Sequence, residues 1–186
     1  AQTDVTCNGG NNGSASVAVT GGTGAYTYSW APSGGTAATA TGLSAGTYTV
    51  TITDANLCTK TESFTITEPD AITAAISKTD VSCNGGANGS AAVAASGGTG
   101  SYTYAWAPSG GTAAAASGLS AGTYTVTITD ANGCSAAETV TIDEPALLAA
   151  SIAKTDVLCS QADNGTATVT ASGGTGPYTY SWSPSG

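Results

Sequence analysis

Five cysteines are the residues whose type and spacing first suggest chemistry. Cys7, Cys83 and Cys159 follow one another at 76 residues, as do Cys58 and Cys134, while Cys7–Cys58 and Cys83–Cys134 are each separated by 51. The chain has no CxxC and no histidine, so a dithiol redox motif, the usual zinc ligand sets and the Cys-His or Ser-His nucleophile pairs are all missing. Cysteines at fixed spacing without such companions point to disulfides and an oxidising compartment. The preferred pairing is one bond per repeat, Cys7–Cys58 and Cys83–Cys134, stabilising a loop of this length by about 4 kcal/mol in the chain-entropy model. Cys159 would then find its mate 51 residues on, outside these 186. A competing scheme, Cys58–Cys83 with Cys134–Cys159, links neighbouring repeats, and spacing alone leaves both open.

The remaining polar groups narrow the chemistry. Twelve carboxylates against three lysines and no arginine give a net charge of −9, which argues against a nucleic-acid partner. Glu68 and Asp70 near the end of one repeat, with Asp130 and Asn132 in a loop of the next, are candidate Ca²⁺ ligands at a repeat junction, although no DxDxDG loop is present. No cofactor other than that Ca²⁺ is expected. Paired carboxylates flanking a cleft-forming insertion are absent, and with histidine missing the composition argues against an enzyme. Asn12, Asn88 and Asn164 each match the N-glycosylation pattern, but Asn-Gly before a strand is also a turn signal, the preferred reading. Gly21-Gly22-Thr23-Gly24 lacks the lysine and helix of a phosphate loop and reads as a hairpin.

What positions these groups is a tandem repeat. Residues 1–76 and 77–152 share 53 identities without a gap. The boundaries expected are 1–69 for a first repeat lacking the start of its first strand, 70–145 for a complete second, and 146–186 for a third truncated after its third strand, strand C of a sandwich. Neither end reads as a domain boundary. No apolar run reaches the ~20 residues of a membrane-spanning helix. Within a repeat the apolar period is two: Ala15, Val17 and Val19; Tyr26, Tyr28 and Trp30; Tyr48, Val50 and Ile52; Phe64 and Ile66; Ile72, Ala74 and Ile76. Such strands, joined by Asn-Gly and Gly-Gly turns, predict an all-β fold of tandem immunoglobulin- or fibronectin-like β-sandwiches of 76 residues. Leu43 followed by Tyr48, and Leu119 by Tyr124, read as tyrosine corners. Trp30, Trp106 and Trp182 alternate with small polar residues on a strand, which favours core positions over a sugar-stacking platform. Rows such as Thr47, Thr49, Thr51 and Thr53 read as cladding, with O-linked glycans or lateral contacts as the sharper alternative.

The frame Val81-Ser82-Cys83-Asn84-Gly85-Gly86, Gly97-Gly98-Thr99-Gly100, Tyr102-Thr103-Tyr104-Ala105-Trp106, Gly118-Leu119-Ser120-Ala121-Gly122-Thr123-Tyr124, Asp130-Ala131-Asn132-Gly133-Cys134 and Glu144-Pro145 closely resembles the SprB-type repeat of Bacteroidota surface and gliding-motility adhesins. The resemblance spans the whole chain. It implies export by the type IX route and display in long arrays on the bacterial cell surface. This chain departs from the pattern at Leu57, where the second copy has Gly133, and at Ser160-Gln161-Ala162-Asp163, which replaces an Asn-Gly-Gly turn. The function expected is an extracellular stalk or filament shaft. Its partners would be neighbouring repeats and lateral copies in a fibre. The alternative is an adhesin module binding surface glycans by multivalent weak contacts.

Overall fold

A computed structural model of the chain describes residues 1–160 and 163–183, and the regular elements among them are all β-strands. The chain divides into two compact units: Ala1–Ala74 with Ala95–Thr103 and Thr127–Ala136, and Ala75–Ala94 with Tyr104–Val126 and Ala137–Gly186.

The first repeat lies in the first unit. Its strands are β1 (Gln2–Thr3), β2 (Gly13–Ser16), β3 (Thr27–Ala31), β4 (Thr39–Leu43), β5 (Gly46–Thr53) and β6 (Thr59–Ile66). They form two antiparallel sheets, β1-β2-β4 and β3-β5-β6. The alternation read from the sequence sets the inner face: Tyr48, Val50 and Ile52 of β5 are buried while Thr47, Thr49, Thr51 and Thr53 face outward. The two sheets contribute unequally. Trp30, Tyr48, Val50 and Ile52 from one meet Ala15, Ala40 and Leu43 from the other, closed by Val5 and Ile66. Bulky residues on one layer against small ones on the other let the sheets fill the space between them with few large side chains.

Polar tips inside this core find partners, as buried donors must. Trp30 donates its indole N–H to the Ala37 carbonyl (2.9 Å), and its ring lies 5.6 Å from that of Phe64 at a 38° tilt. Tyr48 closes the corner between β4 and β5 by donating to the Ser44 carbonyl (3.2 Å), and Tyr124 does the same to Ser120 (3.1 Å). Strand β4 has no counterpart in the sequence reading. Its inward residues are only Ala40 and Leu43, too little apolar signal to mark a strand.

The second repeat supplies β7 (Thr73–Thr79), β8 (Gly89–Ser96), β9 (Thr103–Ala107), β10 (Ala115–Leu119), β11 (Gly122–Thr129) and β12 (Ser135–Ile142), in the matching orders β10-β8-β7 and β12-β11-β9. The third supplies β13 (Ala149–Thr155) and β14 (Thr166–Ser172), paired along seven residues. Gln161 and Ala162, part of the altered third turn, lie outside the described residues.

Two expectations need correction in this third copy. No strand forms at residues 177–183, and Trp182 is 52% exposed rather than buried. In the first copy β3 is held by β5 and the tryptophan by the Ala37 carbonyl. Among the described residues the third copy has no strand that matches β5, and Trp182 meets no second layer there. Trp30→Ala and Trp106→Ala should each cost about 3–5 kcal/mol in denaturant unfolding, whereas Trp182→Ala should change stability by less than about 0.5 kcal/mol.

Candidate functional site at the repeat joint

The segment that leaves β6 is tied to the pole of its own repeat. Val5 donates to the Thr67 carbonyl (2.9 Å) and Thr67 donates to the Asp4 carboxylate (2.8 Å). Glu68 then turns onto the Asn8-Gly9 turn, accepting from the Gly9 N–H (2.6 Å) and the Asn8 amide (3.3 Å), while the same amide donates to the Pro69 carbonyl (3.1 Å). Pro69 fixes its own φ and biases Glu68 to extended conformations, so the exit direction is set twice. The second repeat repeats the clamp: Gly85 and Asn84 donate to Glu144 (2.6 and 3.0 Å), Asn84 to the Pro145 carbonyl (3.2 Å), and Asp143 to Asp80 (2.9 Å).

Beyond the proline the chain passes over the Gly-Gly hairpin of the repeat it is entering. Gly98 donates to the Asp70 carbonyl (2.8 Å), and a side chain on Gly97, at φ +81°, would run into the Ala71 carbonyl. Tyr102 holds the hairpin by donating to the Gly97 carbonyl. The second joint is built alike, with Gly174 donating to Ala146 (2.6 Å) and Gly173 facing the Leu147 carbonyl. In the first repeat the equivalent Gly21 has open space around it.

Next to this hairpin Asp130 closes the turn between β11 and β12. Its Oδ1 accepts from the N–H groups of Asn132 and Cys134 (2.9 Å each) and its Oδ2 from Thr99 (2.8 Å). Asp130 is the buried acid among the core residues. Burial acts to raise its carboxyl, but the N–H groups of Thr99, Cys134, Asn132 and Gly133 outweigh it and hold it below the ordinary carboxylate range. Asp54 is bonded alike in the first repeat, where the N–H groups of Cys58 and then Thr23 hold its carboxyl down.

The disulfide follows neither expected scheme. Cys7 is bonded to Cys134, with Cα atoms 5.6 Å apart and a sequence separation of 127; Cys58, Cys83 and Cys159 are free and exposed. The reason is strand polarity. Cys58 precedes the first residue of β6 and Cys7 lies beside its last, so an eight-residue strand, about 26 Å at ~3.3 Å per residue, separates the two within one repeat. Cys134 precedes β12 as Cys58 precedes β6, and it is this end of the second repeat that meets the Cys7 pole of the first. Asn132 adds a hydrogen bond to the Thr6 carbonyl (3.4 Å).

The proposed Ca²⁺ ligands all lie at the joint but do not converge. Asp70 and Asp130 border one cleft of about 280 Å³ with Cys7 and Cys134, whereas Glu68 is spent on the Asn8-Gly9 turn and Asn132 on Thr6. Among the described residues no three His, Cys, Asp or Glu side chains are grouped to hold a metal ion. Asn12 and Asn88 clamp their own turns, each accepting from a backbone N–H six residues back and donating to the hydroxyl of Thr6 or Ser82; Asn164 accepts from Leu158 (3.2 Å). A larger cleft, about 510 Å³, opens in the first repeat beside Val17, Tyr26, Ile52 and Gly22. In the second repeat Ile72 lies against Gly98, the counterpart of Gly22.

Sequence reasoning missed Asn8, Asn84 and the role of Gly97. The signal was present as an Asn-Gly turn recurring 60 residues before each Glu-Pro. A family model described as SprB repeat matches residues 1–35, 75–111 and 151–186, together more than half of the chain. No curated protein matches it.

Gly21 and Gly97 share φ near +80°, so alanine strains both backbones alike, by about 1–2 kcal/mol; Gly97→Ala should lower the melting temperature further, because it also meets the Ala71 carbonyl, and equal shifts would refute that contact. The depressed carboxyl of Asp130 stabilises the fold when ionised, so its contribution is complete above the ordinary aspartate pKa and is lost as pH falls through the lower folded value. Thermal unfolding followed by circular dichroism should be flat with pH from about 7 to 5 and weaken below about pH 4, with a shallower acid limb in Asp130→Asn.

Proposed function

We propose that the chain, which belongs to the SprB repeat family, is a segment of the extended shaft of a large bacterial surface protein and carries no catalytic activity. SprB repeats occur as repeat regions of large cell-surface proteins, and a disulfide fits an extracellular setting. The observation that supports a shaft over a string of tethered modules is the joint itself. The segment from Thr67 to Ala71 is bonded to the pole it leaves and to the hairpin it enters, and Cys7–Cys134 spans the same joint covalently. A flexible linker would need a run of some 15 Gly/Ser residues; the joint has five, one of them proline. Threonine and serine on the outward strand faces keep such a shaft wettable with little charge and offer lateral copies a regular polar surface.

Small-angle scattering and negative-stain images of arrays of increasing repeat number test this reading. The longest dimension should grow by a constant increment per repeat, and reduction of the disulfides should broaden the distribution of angles at the joints. Broad, uncorrelated angles in the oxidised array would overturn the shaft and favour tethered binding modules.

A further inference from the structure

We infer that Cys58, Cys83 and Cys159 are half-sites of the same inter-repeat bond that joins Cys7 to Cys134, so that an array of these repeats is a ladder of interlocked disulfide loops, each repeat bonded to the one before it and the one after. The partner that fits the Cys83 pole, and the one that fits the Cys58 end, is a further copy of this repeat. The inference builds on the shaft reading, but it concerns covalent connection rather than stiffness.

Its first support is register. The separation of 127 residues is the 51-residue spacing inside a repeat plus one 76-residue period. A bond of the same span from Cys83 ends on the cysteine one period after Cys134, and a bond of the same span into Cys58 begins at the cysteine one period before Cys7. The free thiols are therefore those whose mates belong to adjoining repeats.

Its second support is that both halves of the bonded site are already formed around two of the free thiols, Cys83 and Cys58. Cys7 accepts from the Gly10 N–H (2.9 Å) beside a turn clamped by Glu68; Cys83 accepts from Gly86 (3.0 Å) beside a turn clamped by Glu144. Cys134 donates to the Asp130 carboxylate (2.9 Å) and its carbonyl accepts from the Asp130 N–H (2.9 Å); Cys58 makes the same two bonds with Asp54 (2.9 and 3.0 Å). The thiols are held in the bonded frame without a bond, and they are exposed where Cys7 and Cys134 are half-buried.

Topology gives the ladder a property that neither scheme inferred from sequence possesses. Cys83 precedes Cys134 in the chain, so the loop opened at Cys83 begins before the loop closed at Cys134 has ended. Successive loops overlap, and every peptide bond between the outermost paired cysteines lies inside at least one of them, the joints included. Bonds within single repeats, Cys7–Cys58 and Cys83–Cys134, would leave residues 59–82 outside any loop. A cut anywhere within such an array leaves its two parts joined. Each bond forms as two thiols lose two protons and two electrons to a disulfide oxidant, whose own S–S bond is reduced to two thiols.

The test extends the 186-residue chain by one in-register repeat, a copy of residues 111–186, and refolds it with oxidised and reduced glutathione as the disulfide couple. Non-reducing peptide mapping should recover Cys7 joined to Cys134 and Cys83 joined to the first cysteine of the added repeat, with Cys58 still open to alkylation. Cys83 recovered as a free thiol, or joined to Cys58 or Cys134, overturns the inference. A protease site inserted after Pro145 gives a second readout. Once cleaved, the extended chain should run as one species in denaturing gels without reductant and as two with it, and Cys83→Ser should give two in both. Scattering on the same material separates the two ideas: a stiff array with Cys83 unbonded sinks the ladder alone, and a bonded array with broad joint angles sinks the shaft alone.

Discussion

The direction of an eight-residue edge strand decides how these repeats connect. β6 begins just after one cysteine of its repeat and ends beside the other, so the two sulfurs are held at opposite poles. Since a disulfide needs Cα atoms within about 7 Å, neither cysteine can satisfy the other inside the sandwich. The bond falls to the neighbour, and Cys7–Cys134 is the result. From that one constraint the rest of the joint follows. The Glu68 clamp and Pro69 set the direction in which the chain leaves β6, and the chain then passes close over the next hairpin, which is why Gly97 carries no side chain.

The thinness of the core gives this connection its importance. In the first sandwich the fully buried side chains on β2 and β4 are two alanines and one leucine, so a 76-residue repeat buries few large side chains and is marginal on its own. The same site differs between the two copies. Asp130, with Ile72 laid over the adjoining Gly98, is buried, while Asp54, whose hairpin glycine Gly22 faces an open cleft, is half-buried. The three backbone N–H groups that both acids satisfy are thus shielded from water in one copy and not in the other. Stability in such arrays comes from a repeat plus its interface, the quasi-one-dimensional behaviour of repeat proteins.

How much of this could be read from sequence depends on range. Strand alternation is local, and β2, β3, β5, β6 and the tyrosine corners were legible in it; β4 was not, because Thr39-Ala40-Thr41-Gly42-Leu43 offers alanine where a strand signal needs a larger residue. The acidic residues were traced to the joint, yet the backbone N–H groups that occupy Asp130 and Glu68 have no sequence signature. The cysteine spacing misled for a sharper reason. In a perfect repeat, a bond within one copy and a bond offset by one period involve the same residue types at the same positions, and only the direction of β6 tells them apart.

Differences between the copies point the same way. Lys78 bridges Asp80 and Asp143 (2.8 and 2.6 Å) and donates to the Thr141 carbonyl (2.7 Å). At the equivalent position Gln2 is uncharged, and it donates to the Thr65 carbonyl (2.8 Å), the counterpart of Thr141. The ion pairs come and go, while the hydrogen bond to the neighbouring strand is kept. Exposed ion pairs contribute about 0–1 kcal/mol, so their exchange leaves the strand where it was. The Glu68 and Glu144 clamps, by contrast, reach backbone N–H and carbonyl groups through the same residue types in both copies. Geometry in these repeats is therefore written in contacts to main chain, which every copy possesses whatever its side chains, and the exposed surface is left to vary without moving the joint.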